Sequence, residues 1–351
     1  MSSTARQDSA ATLGRALTDN DIAPSPTLTV AYDPQRSRVP LHPFAEAGAR
    51  IAFAWLRNQR SFRDRRPLLG YARRTAEFFR MRDEGAMAEA EMCGLSVLVP
   101  TSDGTLGRSV YASGDWDPLM EGVVFDALDA YGQHYRGTTF VEVGANFGVY
   151  ALPAVAQHEF GRAVAYEPDP SSFDLLQRNI ERNGLGARIT ARQVALSAAP
   201  GELTLALGTY NAGDNRIVAP GAASVDRGAT VNVPAATFDA EVAAGHIPLH
   251  DLGLAWIDVQ GHELEVLKGA RTLLAAGVPL VIEYATAMGD RAVLDELADL
   301  LAESYAVMVD LGWCALTNRL RFQPAWAVRR LAVDGRALET DLLMLPPHRH
   351  S

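Results

Sequence analysis

The segment Thr139–Gly148, Thr-Phe-Val-Glu-Val-Gly-Ala-Asn-Phe-Gly, narrows the choice of fold more than any other stretch of this chain. Thr139–Val143 reads as an apolar strand. It runs into a glycine-bearing turn from which a helix, Tyr150–His158, departs. Ala163–Tyr166 reads as a second strand and Ile189–Leu196 as a third. Between them Ser171–Asn183 reads as a helix, with a serine cap at its start and Asn183-Gly184 at its end. Leu254–Val259 then Glu263–Ala275, and Pro279–Tyr284 then Arg291–Glu303, each read as strand followed by helix. Tyr305–Asp310 and Asp341–Leu345 read as a closing pair of strands. Strands alternating with helices predict an α/β fold, a mostly parallel sheet with helices on both faces. No internal repeat is present.

Upstream the texture differs. Residues 1–45 are rich in Ser, Thr, Ala and Pro without a sustained apolar period, and read as a flexible or draped N-terminal segment. Residues 46–90 read as a basic helical extension. Phe53, Leu56 and Arg60 fall at helical spacing, as do Phe78, Met81 and the Ala-rich run to Ala90. Nine arginines crowd between Arg57 and Arg82, either as a solvated helical face or as a docking surface for an anionic partner or a second subunit. Within residues 91–351, the main domain, Leu95–Val99 and Ser109–Ala112 read as a small antiparallel pair and Asp117–Tyr131 as a helix. A chain of 351 residues with 48% apolar content can bury such a core.

The turn also carries chemistry. Gly144 and Gly148 allow a tight turn and a ligand approach unobstructed by Cβ. Ligands of open α/β sheets bind beyond the carboxyl ends of the strands. The spacing is GxxxG, and Asn146 stands where a dinucleotide fold needs its middle glycine for a pyrophosphate, so a NAD-linked oxidoreductase is a distant reading. Glu142, just ahead of Gly144, suits a cationic or amine-bearing ligand. Glu167 closes the second strand in Tyr166-Glu167-Pro168, where one carboxylate can accept from two ribose hydroxyls. An adenosine ligand with a positive charge and no phosphate matches these features, and S-adenosylmethionine is such a ligand.

Val-Glu-Val-Gly-Ala-Asn-Phe-Gly at 141–148, Tyr-Glu-Pro at 166–168, Asn179 with Asn183, and Val-Ala-Leu-Ser at 194–197 resemble the FkbM family of S-adenosylmethionine-dependent methyltransferases. The most specific likeness is Ile-Asp-Val-Gln-Gly-His-Glu-Leu-Glu-Val-Leu-Lys-Gly-Ala at 257–270. The resemblance covers roughly residues 95 to 346. It implies a class I methyltransferase (Rossmann-like) domain, a seven-stranded sheet, and methyl transfer, usually to an oxygen of a sugar or natural product. On that reading Glu142, Gly144, Asn146 and Gly148 line the methionine end of the cofactor, Glu167 the ribose and Ser197 the adenine edge.

A second acidic cluster marks the acceptor side. Asp258 ends one strand, Gln260-Gly261-His262-Glu263 turns into a helix, and Glu283 ends the next strand on the same sheet edge. Methyl transfer needs donor and acceptor held in line, and a hydroxyl acceptor needs a base. His262 has a suitable intrinsic pKa, with Asp258 or Glu263 to orient it. Equally, a histidine at a helix start can be a cap, and Glu263 suits a first helical turn through the macrodipole alone. These carboxylates could hold Mg²⁺, but no ligand spacing requires it, and no metal is expected. The loop Gly208–Thr230, with Asn211-Ala212-Gly213-Asp214-Asn215-Arg216, reads as a lid or binding loop for a hydroxylated acceptor.

The sequence therefore leads to an O-methyltransferase acting on a small-molecule or glycoside acceptor, with an N-methyltransferase or a non-catalytic cofactor-binding scaffold as rivals. The net charge of -10 argues against a dedicated nucleic-acid binder. No apolar run approaches the ~20 residues that cross a bilayer. The N-terminus lacks a secretory apolar core, so a cytoplasmic location is expected. A homo-oligomer contact through the extension is a further expectation. Cys93 and Cys314 form no CxxC pair and suggest neither a disulfide framework nor a structural zinc site. All but one of the 32 basic residues are arginine, and the exception, Lys268, falls in the most family-like stretch.

Overall fold

The computed structural model describes residues 28–31, 66–81, 86–116, 118–208, 211–218, 229–285, 290–331 and 339–348. In chain order the strands are β1 Leu28–Ala31, β2 Met87–Met92, β3 Leu95–Pro100, β4 Thr139–Val143 and β5 Arg162–Tyr166. There follow β6 Ile189–Arg192, β7 Ala195–Leu196, β8 Gly201–Ala206, β9 Arg216–Ile217 and β10 Thr230–Ala236. The last five are β11 Leu252–Ile257, β12 Leu280–Ala285, β13 Val307–Asp310, β14 Arg319–Pro324 and β15 Glu339–Leu345.

Nine of these strands form one sheet, ordered β1-β14-β13-β15-β12-β11-β4-β5-β6. From β6 to β12 every neighbouring pair is parallel, whereas β15, β13, β14 and β1 pair antiparallel in turn. The α/β class and the Rossmann-like layout agree with the sequence reading, but the sheet has nine strands rather than seven. The two additions, β14 and β1, pair with each other at one edge. Strand β14 alternates buried Leu320 and Phe322 with more exposed arginines, a period-2 signal that is short and easily overlooked. Strand β1 lies inside the segment expected to be loose.

Strands β4 and β11 are buried along their whole length, as parallel strands covered on both faces must be. Alternate residues serve two cores. Phe140, Leu254, Trp256 and Val281 face one layer of helices; Val141, Val143, Ala255, Ile257, Leu280 and Ile282 face the other. Chain order gives the site its place. The chain leaves β4 through β5 to β6 on one side and returns to β11 on the other, so the crevice beyond the carboxyl ends of β4 and β11 is the switch point of the sheet.

Several local readings change. The Ala-rich run to Ala90 is strand β2, in which Ala88, Ala90 and Met92 are buried and alternate with exposed residues. Its partner is β3. Ser109–Ala112 lies in the helix Leu106–Ser113. The helix Pro170–Arg182 is capped by Asp169, whose carboxylate accepts from the Ser172 amide, and not by serine. The single helix expected over Glu263–Ala275 is two, Glu263–Lys268 and Arg271–Ala276, broken at Gly269-Ala270. Ile189–Leu196 divides between two sheets, because β7 joins a second sheet ordered β7-β10-β8-β9. Arg66–Arg80 is helical as read, while Phe53, Leu56, Arg60 and the arginines before Arg66 lie outside the described residues.

The family-like asparagines have a physical role. Asn179 accepts from the Leu98 amide at 2.7 Å and donates to the carbonyls of Leu98 and Phe147 at 3.1 Å. Asn183 brackets Ser96 in the same way. One helix thereby ties the β2–β3 hairpin to the glycine turn.

Candidate functional site

A cavity of about 570 Å³ opens at the switch point. Its walls come from the β4 turn (Gly144, Asn146), the end of β5 (Glu167, Pro168), β7 with Val194, the small sheet (Leu205, Ile217) and the β11 turn (Asp258, Gln260, His262). Gly213 and Asn215 of the segment read as a binding loop also line it. In that segment, residues 209–210 and 219–228 lie outside the described residues.

The glycine turn is held by backbone contacts. The amides of Gly144 and Ala145 both donate to the Tyr166 carbonyl at 2.9 Å. Gly144 has φ +92°, and a Cβ there would overlap the Asp258 carbonyl. Two strand ends therefore touch at this residue. At Gly148 a Cβ would overlap the Leu152 side chain, so this glycine serves helix packing and does not line the cavity. Asn146, at φ +48°, adopts the left-handed region that asparagine tolerates better than most residues.

Glu142 does not line the cavity either. Wholly buried in β4, it accepts from the amides of Tyr150 at 3.2 Å and Ala151 at 2.7 Å, capping the helix Ala151–Ala156. Burial holds its carboxyl well above the usual carboxylate range. Glu167 does reach the cavity. Its Oε2 accepts from the Asn146 amide at 2.7 Å and its Oε1 from the Asp169 amide at 2.8 Å, and burial pushes its pKa up to about 8.

On the β7 side, Ser197 Oγ and His262 Nε2 are hydrogen-bonded at 3.0 Å. Ser197 itself stands behind the lining, and burial lowers the His262 pKa. On the β11–β12 side, Gln260 Nε2 donates to Asp258 Oδ1 at 2.9 Å and to Glu283 Oε2 at 3.1 Å. Gln260 stands at φ +56°, a strained backbone that aims its amide at both acids. Burial, then the charge of Asp258, pushes Glu283 up to about 10; Asp258 is raised by burial too. Glu283 therefore keeps its proton at neutral pH beside Asp258. Glu263 is spent locally: its Oε1 accepts from the amides of Val259 and Gly261 at 3.1 and 3.0 Å, and burial lifts it to about 7.

These raised carboxyls make stability pH-dependent. In the unfolded chain they are ionised above about pH 5. The native chain keeps the protons of Glu263 and Glu167 to about 7 and 8, and that of Glu283 to about 10. The native state binds more protons, so stability falls as pH rises from about 6.5 to about 8.5. His158 and His262, held neutral by burial, weaken the fold only below the ordinary histidine pKa. Calorimetry of the ligand-free protein across this range should show a falling Tm; a flat or rising one contradicts the assignment.

Of the ten residues singled out from sequence, the cavity gathers Gly144, Asn146, Glu167, Asp258 and His262. Glu142, Gly148, Ser197, Glu263 and Glu283 stand one layer behind. Leu205 and Ile217 were missed, since nothing local announces that a separate small sheet folds over the site.

Residues 142–306 match the model of the Methyltransferase FkbM domain. This stretch, just under half of the chain, resembles the FkbM methyltransferase family. Over 142 residues it is 29% identical to the hexuronic acid methyltransferase AglP of Haloferax volcanii, covering 40% of this chain and 54% of that protein. It is 28% identical over 152 residues to the methyltransferase sdnD of Sordaria araneosa, covering 37% and 59%. The chain thus spans little more than half the length of these curated relatives. Among solved structures, the methyltransferase FkbM of Methylobacillus flagellatus is similar with a TM-score of 0.36 and 15% identity, over 69% of this chain and 55% of that one. The matched stretch contains every cavity-lining residue named above. No helix among the described residues is long and apolar enough to cross a membrane. Lys268 of the domain pairs with Glu265 at 3.0 Å and Glu296 at 3.2 Å on the surface, away from the cavity lining.

Proposed function

We propose that the cavity binds S-adenosylmethionine and that the FkbM domain transfers its methyl group to a hydroxyl of a sugar or glycosylated natural product. The observation that carries this reading is the cavity itself. It sets a buried carboxyl group, Glu167, on one side of the switch point and Asp258, bridged by Gln260 to Glu283 behind it, on the other.

The residues present fit the cofactor. Glu167 has lone pairs left for a ribose diol after accepting two amides. Val194, Leu196, Leu205 and Ile217 offer apolar walls for a purine, with His262 braced on Ser197 beside them. When bound, S-adenosylmethionine supplies an electrophilic methyl group and a neutral thioether leaving group. The chain then has to place the acceptor in line and take its proton. Asp258 is the base: it lines the cavity, and Glu283, which keeps its own proton, donates to it from behind. His262, engaged with Ser197, serves the cofactor side instead. The relative named as a hexuronic acid methyltransferase supports a polyhydroxylated acceptor.

Isothermal titration with S-adenosylmethionine, followed by transfer of a labelled methyl group to a panel of uronic acids, neutral glycosides and amino sugars, tests this reading. Saturable binding with label on a hydroxyl is expected. Label found only on amines would replace it with N-methylation. Binding without transfer to any acceptor would favour a scaffold.

A further inference from the structure

A second chemical centre lies outside the cavity. Cys93, in the turn between β2 and β3, meets Asp115 and Glu121. One ligand atom from each lies within 4.8 Å of the other two, and all three residues are buried. Among the described residues no other group of three or more His, Cys, Asp or Glu converges so closely. Cys93 Sγ donates to Asp115 Oδ2 at 3.2 Å, and the Cys93 amide donates to the Gly114 carbonyl at 3.0 Å. His158 Nε2 holds Glu121 Oε2 at 3.1 Å, and the imidazole stacks on Phe125 with 4.0 Å between ring centroids. Asp115 and Glu121 are each 3% exposed.

Two buried carboxyls beside a thiol are costly to desolvate unless something compensates them. A second observation points the same way. Gln157, the residue before His158, has its Oε1 buried without a hydrogen-bond partner. Its amide nitrogen is 3.8 Å from where a Cβ on Gly94, the neighbour of Cys93, would stand. A buried acceptor left unmet this near the hairpin turn is a group that a bound water would satisfy.

We propose that Cys93, Asp115 and Glu121 form a zinc site, with water as the fourth ligand and His158 orienting Glu121. Tetrahedral zinc with bonds of about 2.0–2.3 Å spaces its ligand atoms roughly 3.3–3.8 Å apart, so the three donors need only small shifts to close on it. A thiolate selects zinc over the hard cations Mg²⁺ and Ca²⁺. On binding, the Cys93 thiol proton and any proton on Asp115 leave to solvent, and S–Zn and O–Zn bonds replace the thiol–carboxylate hydrogen bond. The ion would brace the β2–β3 hairpin, the turn at Gly114 and the helix Pro118–Tyr131. No element of it depends on the methyltransferase reading. The ligands sit at 93, 115 and 121, a spacing that matches no zinc motif and is brought together only by the fold.

The full chain, stripped with a chelator and dialysed against equimolar zinc, is the material for the test. One zinc per chain by elemental analysis is expected, with a higher Tm than the stripped protein. Cobalt(II) in place of zinc should give a near-ultraviolet thiolate-to-metal absorption, which needs no variant to read. Cys93→Ser should abolish that absorption, and His158→Phe, which keeps the ring stack, should weaken zinc binding about 10–100-fold while keeping it. No metal uptake by the wild-type chain, or uptake without the thiolate absorption, overturns the proposal.

Discussion

Gly144→Ala should lower Tm by about 10 °C and weaken S-adenosylmethionine binding at least roughly 100-fold. Two costs combine. An alanine held at positive φ loses about 1–2 kcal/mol. The new methyl group also overlaps the Asp258 carbonyl, a backbone atom that can move only with strand β11, and overpacking of that kind costs about 1–3 kcal/mol. A total of about 2–5 kcal/mol is a large part of a typical domain's margin, and at roughly 2–4 °C per kcal/mol it gives the stated shift. Binding suffers because the displaced residues, Gly144 and Asp258, are both in the cavity wall. Gly261→Ala is the control. That glycine also has positive φ, +94°, but a Cβ there meets nothing within 4 Å, so only the conformational cost applies. Equal effects of the two substitutions on Tm and on binding would remove the close approach of the strand ends as the cause.

The same glycine shows how far the sequence could be read. The strand–turn–helix pattern located the switch point correctly, because apolar runs and glycines are local signals. The reason offered for Gly144, room for a ligand, was incomplete: the space its Cβ would take is filled by a backbone segment more than a hundred positions away in the chain. Glu142 carries a similar lesson. An acid ahead of the glycine invites a ligand reading, yet its carboxylate is used by the amides of Tyr150 and Ala151. Both facts are tertiary, and spacing alone does not hold them.

Edges and accessory sheets were the least legible parts. The hairpin strands β2 and β8 are short, and Met87–Met92 has strong helix formers at every position. Its buried and exposed residues alternate because β3 supplies the pairing, which overrides propensity. The acidic cluster at the acceptor side was legible as a cluster and illegible in its division of labour. Asp258, Glu263 and Glu283 look alike in sequence. Only the structure shows that Glu263 binds the amides of its own turn, while Gln260 joins Asp258 to Glu283.

That division leads to the largest expected loss of turnover. Asp258→Asn should cut kcat about 10²–10⁴-fold, the usual contribution of a positioned base, while changing cofactor affinity only a few-fold. Its partner discriminates the mechanism further. Glu283 keeps its proton to about pH 10, so around neutrality it is a hydrogen-bond donor. Glu283→Gln keeps a neutral donor of the same size and should leave kcat at pH 7 within about tenfold of wild type. Glu283→Ala removes the donor that lowers the Asp258 pKa, so the acidic limb of the rate profile should move to higher pH. If His262 were the base, the outcome would reverse: His262→Ala would cause the large loss and Asp258→Asn a small one. A pH–rate profile for the four variants on one acceptor decides between them.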